Sequence, residues 1–224
     1  MKLIITEEQF KKLVKEMAYP SSFNFEEFGQ CRSFAERVKY CESHLQRIAS
    51  GSSRIVYKVD DEKVLKLAKN QKGIAQNEVE YRLGTEPYYQ CFADIYEYDK
   101  NGLWIEMALC QKAKKSDFKA IYGVPFEVLC CMIYDQSNNF KNSRYGRFNP
   151  YEKYRETVQQ IWDGEETDLQ ILFINVQEYI GSEMLESVGD LCRISSWGIN
   201  PEGYFTLIDY GVDDDVAEQY YGRS

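Results

Sequence analysis

Gly189-Asp190-Leu191, then Trp197-Gly198-Ile199, the turn Pro201-Glu202-Gly203 and the run Tyr204-Phe205-Thr206-Leu207-Ile208-Asp209-Tyr210-Gly211 form the stretch on which the fold turns. Asp190 and Asp209 each sit beside an apolar, strand-like run, and the turn folds one run back, so a hairpin brings both carboxylates to one edge. Hard oxygen donors gathered in this way are how a phosphate-and-magnesium site is commonly assembled. An ordinary hairpin with two solvated aspartates is the alternative that this segment alone leaves open. A second constellation, from Gly51 to Glu80, weighs against that alternative.

There the period of the sequence changes. Ile48-Ala49-Ser50-Gly51-Ser52-Ser53-Arg54-Ile55-Val56-Tyr57-Lys58-Val59 predicts strand, flexible turn and strand, Asp60-Asp61-Glu62 a second turn, and Lys63-Val64-Leu65-Lys66-Leu67-Ala68 a third short strand. The small residues Gly51, Ser52 and Ser53 let backbone N–H groups approach a phosphate without side chains intervening, and a plain hairpin turn is the competing explanation. Lys66 lies between Leu65 and Leu67 and therefore points to the other face of its strand. If that face lines a cleft, the ammonium needs an anion; if it meets water, Lys66 is an ordinary edge lysine.

Length and composition bound the answer. A chain of 224 residues can bury a sizeable core, as one domain of two lobes or as two small domains, and one compact unit is expected. A formal net charge of -9 argues against a phosphate-backbone binder, so nucleic acid is not an expected partner. Seven cysteines without a CxxC pair, and a single histidine at His44, suit reduced core thiols in a cytoplasmic protein better than disulfides or a zinc site. Leu3-Ile4-Ile5 breaks off into Glu7 and Glu8, and neither a signal peptide nor a membrane span is expected.

The order of these motifs resembles the protein-kinase-like superfamily. Gly51-Ser52-Ser53-Arg54-Ile55-Val56-Tyr57 looks like a degenerate glycine-rich loop, with Val56 in the place of the valine that packs on adenine. Val64-Leu65-Lys66 is similar to the third-strand motif whose lysine holds the α- and β-phosphates. Gly73 to Leu83 then stands where the helix supplying the lysine's acidic partner belongs; Glu80 is preferred over Glu78, and two helical residues about 200° apart cannot both face the lysine. Leu103-Trp104-Ile105-Glu106-Met107-Ala108 resembles the fifth strand and hinge, which places Glu106 and Ala108 against the adenine edge. Asp190 and Ile208-Asp209-Tyr210-Gly211 resemble the catalytic-loop aspartate and the Asp-Phe-Gly metal motif. The resemblance spans residues 48 to 211 and implies an α+β, two-lobed fold: an N-terminal antiparallel sheet with a helix, then a reduced helical C-terminal lobe. It further implies ATP and Mg2+ bound between the lobes, Asp209 on the metal, Asp190 orienting or deprotonating a hydroxyl acceptor, and the γ-phosphoryl group as the group transferred.

The chain also departs from that pattern. The family's second metal ligand, an asparagine, is replaced by Ser196 when one residue is inserted, and the histidine that often precedes the catalytic aspartate is replaced by Val188. After Gly211 only Val212 to Ser224 remain, without an activation segment or a platform for protein substrates, so an acceptor falls to residues 111 to 180. A pseudokinase, the same fold used as a binding module in a larger assembly, is therefore the rival expectation.

The remaining segments predict supporting elements. Residues 1–22 form an arm in which Thr6 and Gln9 start an amphipathic helix with Phe10, Leu13, Val14 and Met17 on one face; it packs on the chain's own body or docks a protein partner through residues 6–18. Tyr19-Pro20-Ser21-Ser22 is expected as a linker. Residues 23–110 make the first lobe, with a helix from Ser33 to about Arg47 opened by a Ser33/Glu36 capping box. Residues 111–224 make the second, with helices at Ser116–Ile121, Val124–Tyr134, after Pro150, and at Thr167–Ile180, an exposed loop over Asp135–Asn149, and a solvated acidic triplet Asp213-Asp214-Asp215.

Overall fold

The computed structural model describes residues 19–20, 22–86, 91–140, 149–182 and 188–222. The N-terminal helix expected at 6–18 and the tip of the polar segment, 141–148, lie outside the described residues. The chain is a mixed α+β protein that divides into two compact units, one from residues through Asn77 with Ile95–Leu109, the other from Glu78–Asp94 and Cys110 onward.

In the first unit, helices α1 (Phe25–Gln30) and α2 (Phe34–His44) precede strands β1 (Gln46–Ser50), β2 (Arg54–Lys58) and β3 (Lys63–Ala68); helix α3 (Gln71–Gly84) follows, and then β4 (Ile95–Tyr98) and β5 (Trp104–Ala108). The strands form one antiparallel sheet in the order β1-β2-β3-β5-β4. Alternation of side chains sends Ile55, Tyr57, Leu65, Leu67 and Trp104 to one face, where Phe28 of α1, Cys41 of α2 and the flanking Tyr19, Phe23 and Leu45 bury them. Each such large side chain contributes roughly 1.5–3 kcal/mol when fully covered.

Helix α2 starts as the sequence predicts. Ser33 accepts from the Glu36 N–H, and the Glu36 carboxylate accepts from Ser33 and Arg32 N–H groups, which holds that carboxyl below its usual range. Helix α1, not foreseen, is opened by Asn24, whose side chain accepts from the N–H groups of Glu26 and Glu27. The stretch beginning at Tyr19 is no simple linker, because Tyr19 is 4% exposed and its hydroxyl donates to Glu106 Oε2 at 2.8 Å. Burial and the Glu106 carboxylate raise the Tyr19 hydroxyl well above its ordinary pKa.

In the second unit, a sheet of β6 (Gln111–Lys112), β7 (Trp197–Ile199) and β8 (Phe205–Leu207) accompanies helices α4 (Lys115–Tyr122), α5 (Phe126–Phe140), α6 (Arg155–Asp163), α7 (Asp168–Ser182) and α8 (Asp214–Tyr221). The β7–β8 hairpin expected around Pro201-Glu202-Gly203 is present, with Gly203 at φ 91° in the turn. Phe118 of α4, Phe126 of α5, Trp197 of β7 and Phe205 of β8 form an aromatic core, edge-to-face except for the tilted Trp197–Phe205 pair. The Trp197 indole donates to the Leu191 carbonyl at 2.8 Å and so ties the 189–192 turn to this core.

Two expectations fail here for physical reasons. Asp135-Gln136-Ser137-Asn138-Asn139-Phe140 is polar but holds no proline or glycine, and α5 runs through it instead of ending at Tyr134. Asp135 is then paired with Arg155 at 3.0 Å and accepts from Asn149, which is buried. Asp213, expected as solvated charge, is the N-cap of α8, accepting from the Val216 N–H. Among the described residues no helix is long and apolar enough to cross a membrane.

One glycine decides how α3 begins. A Cβ on Gly73 would stand 2.3 Å from the Ser53 carbonyl oxygen and 3.0 Å from Ala68 Cα, so the helix lies against the β1–β2 turn only because this position has no side chain. Helix propensity alone favours alanine by about 1 kcal/mol. Backbone crowding works in the opposite direction and wins: Gly73→Ala is expected to destabilise the protein by about 1–3 kcal/mol in urea denaturation. A stabilised variant would contradict this packing.

Candidate functional site

The expected site residues fall in both units, and each group is set by its own surroundings. In the first unit the β1–β2 turn exposes Gly51 and Ser52 and buries Ser53. All three of its carbonyls are occupied by one neighbour, the β3–α3 junction. Lys69 Nζ donates to Gly51 O at 2.6 Å, Asn70 Nδ2 to Ser52 O at 3.2 Å, and the Lys69 N–H to Ser53 O at 2.7 Å. In a trans peptide the N–H points opposite to the carbonyl before it. The N–H groups of Ser52 and Ser53 are consequently turned away from the atoms that hold those carbonyls. Lys72 Nζ stands 3.5 Å from Ser52 Oγ, and Ser53 Oγ is hydrogen-bonded to Gln76 Oε1.

Gly51 itself has an ordinary backbone, and a Cβ there would meet the Arg54 carbonyl oxygen at 3.9 Å, an ordinary contact, so neither strain nor crowding requires the glycine. Asn70 does two things at once: its Oδ1 accepts from the Gly73 N–H at the start of α3 while its amide nitrogen holds the turn. An asparagine before a helix is a legible N-cap signal. Its second bond is not written in the sequence.

Lys66 is on β3, flanked by β2 and β5, and is 5% exposed although Leu65 and Leu67 beside it are also buried. A central strand covered on both faces explains this, and it places Lys66 opposite Val56 on β2 and Ile105 on β5, on the face away from the aromatic core. Glu106 takes the other face. It pairs with Leu65 across the strands, and its carboxylate is engaged by the Tyr19 hydroxyl and by Lys63 Nζ at 3.4 Å. Any contact of Glu106 or Ala108 with a ligand on the Lys66 face is therefore left to the main chain. Ala108 is buried and pairs with Lys63.

In the second unit Glu80 on α3 is fully buried, whereas Glu78 is exposed. The Glu80 carboxylate accepts from the Tyr210 N–H at 3.4 Å, across 130 positions of sequence. A buried carboxylate is stable only when hydrogen-bonded or paired, so this contact marks where the 209–211 segment is fixed. The Tyr210 ring stacks on Phe92 at 4.1 Å and 9°, its hydroxyl donates to Ala93 O, and its carbonyl accepts from the Tyr179 hydroxyl of α7.

The strand before this segment is anchored as firmly. Leu207 N–H and Thr206 Oγ1 both donate to the Cys91 carbonyl, at 2.7 and 3.1 Å, and Ala93 N–H donates back to Leu207 O. Burial pushes the Cys91 thiol up to about 12, and it stays protonated. With Tyr210 held on every side, Asp209 next to it is exposed. Phe92 and Tyr179 were not singled out from sequence, and Tyr210 entered only as the middle of the Asp209-Tyr210-Gly211 motif.

Asp190 lies in the turn before β7, half exposed, with its carboxylate 2.8 Å from Arg193. Ser196, buried, ends the intervening 3-10 turn, and its carbonyl accepts from the Ile208 N–H at 2.9 Å, which sets Ser196 and Asp209 on adjacent strand ends. Among the described residues there is no cluster of three or more histidine, cysteine, aspartate or glutamate side chains able to hold a metal. A cation held by Asp209 and Ser196 would have to take most of its ligands from elsewhere. Magnesium, which keeps several waters and substrate phosphates, is of that kind.

No family model matches the chain, and no curated protein does. Among solved structures the chain is similar to the gentamicin complex of APH(2")-IIa, with 13% identity and a TM-score of 0.38 over 96% of this chain and 74% of that one. It is similar to the streptomycin-ATP ternary complex of APH(2")-IIa, with 11% identity and a TM-score of 0.37 over 94% and 72%. It is also similar to a choline/ethanolamine kinase family protein from Mesorhizobium loti, with 11% identity and a TM-score of 0.36 over 74% of this chain and 57% of that one. Likeness this distant assigns the chain no activity, substrate or residue role.

The anchoring of Tyr210 gives a direct test. Tyr210→Ala, which removes the stack and every side-chain bond, is expected to cost about 3–5 kcal/mol in urea denaturation, as large core truncations do. Tyr210→Phe, which loses one hydroxyl contact, should cost about 1 kcal/mol. Equal effects would mean that the ring stack does not hold the segment.

Proposed function

We propose that this chain is a minimal kinase-like phosphotransferase that binds ATP with magnesium and transfers the γ-phosphoryl group to a hydroxyl acceptor. The observation that carries the proposal is the buried Glu80 carboxylate, which accepts from the Tyr210 N–H beside the exposed Asp209. In this assignment the Ser52 and Ser53 N–H groups take phosphate oxygens and Lys66 the α- and β-phosphates. Val56 and the main chain at Glu106 and Ala108 take the adenine, and Asp209 with Ser196 holds the metal. Bound magnesium supplies neutralisation of phosphate charge. Asp190 receives or orients the proton of the acceptor hydroxyl as that oxygen bonds to phosphorus and the bond to the ADP oxygen breaks.

A pseudokinase remains the second proposal, because Ser196 offers a hydroxyl where an amide oxygen would bind a cation better, and its side chain is buried. Two measurements separate these proposals. Wild-type protein with ATP and magnesium at about 100 times the dissociation constant should gain about 2.7 kcal/mol, a rise of about 5–10 °C in Tm. Lys66→Ala and Asp209→Asn should each abolish the rise. No rise in the wild type, or an undiminished one in Lys66→Ala, overturns nucleotide binding through these residues. Transfer from labelled ATP to components of a lysate, lost in Asp190→Asn, supports the enzyme; binding without transfer supports the pseudokinase.

A further inference from the structure

Asp213 stands two residues beyond Gly211 and uses both carboxylate oxygens. Oδ1 accepts from the Val216 N–H at 2.9 Å and starts α8, and Oδ2 accepts from Arg82 NH2 at 3.0 Å. Arg82 and Glu80 are two residues apart on α3, so their side chains leave the helix about 200° apart. Their burial agrees: Glu80 is fully buried and the Arg82 side chain is 48% exposed. One helix therefore grips the 209–213 segment twice, at the Tyr210 main chain from one face and at Asp213 from the other.

Between these grips the chain has neither helix nor strand pairing to set its course. The Ile208 N–H on the Ser196 carbonyl fixes the near end, Glu80 the middle and Arg82 the far end. We propose that Arg82 and Asp213 are positioning residues for the magnesium carboxylate of Asp209, acting through this second grip; the proposal rests on the phosphotransferase assignment above. The Arg82 side of this ion pair is 48% exposed and the Asp213 side 12%, so losing Arg82 should appear in metal binding with little effect on folding.

The test uses the full chain and a fluorescent ATP analogue titrated with magnesium. Asp213→Asn keeps a capping oxygen for α8 and removes the charge. Arg82→Gln leaves the cap untouched, and Arg82→Lys retains the charge. Asp213→Asn and Arg82→Gln should each raise the magnesium concentration at half-saturation about tenfold, the low end for loss of a partner behind a metal ligand. Nucleotide affinity without metal and the urea midpoint should stay at wild-type values, and Arg82→Lys should recover most of the loss. The double variant should be no worse than either single one, because both remove the same contact. If Asp213→Asn lowers the urea midpoint through its cap, Arg82→Gln decides. A wild-type magnesium response that both variants reproduce overturns the positioning role and leaves the phosphotransferase assignment standing. A wild type whose nucleotide binding ignores magnesium overturns both.

Discussion

A buried carboxylate has to be satisfied, and in this protein the requirement organises the acidic end of the chain. Glu80 is sealed from water and takes the Tyr210 N–H, so displacing the middle residue of Asp209-Tyr210-Gly211 costs a buried carboxylate one of its hydrogen bonds. The stack on Phe92 and the bond from Tyr179 add direction to that anchor. The result is an exposed aspartate directly beside an anchored residue. The first unit solves a related problem by other means: a central strand buries the Lys66 stem on both sides, and the neighbouring turn is held through its carbonyls.

Much of this was legible in the residues. The Ser33/Glu36 capping box marks the start of α2, the short apolar run Lys63–Ala68 after a turn marks a strand, and the Pro201-Glu202-Gly203 turn marks the terminal hairpin, because each follows from local chemistry that tertiary structure had no reason to override. Burial also distinguishes Glu80 from Glu78, where helical geometry alone offered only the fact that they face apart.

What was not legible depends on contacts distant in sequence. Asp135 to Phe140 looked like loop because it is polar, but polarity does not end a helix; Arg155 and Asn149, which hold Asp135, come later in the chain. Tyr19 looked like linker beside a proline and two serines, and only Glu106, 87 positions on, makes it core. Gly73 carried no turn or cap signal, since its purpose is the absence of a Cβ against Ser53. In the candidate site the acids and the lysine were named from a resemblance of motifs, whereas nothing pointed to the aromatic residues that pack on Tyr210, as stacking partners follow no sequence rule.

The Tyr19–Glu106 bond has a consequence for how the first unit can be cut. Glu106 sits on a strand all of whose residues are covered, and its partners are Lys63 from the neighbouring strand and a phenol contributed before the first described helix. A fragment trimmed to begin at Phe25 would keep every strand yet leave this acid one donor short, next to the gap where Tyr19 and Phe23 had been. The smallest portable version of the sheet therefore starts ahead of its regular secondary structure, at a tyrosine that belongs to no helix or strand.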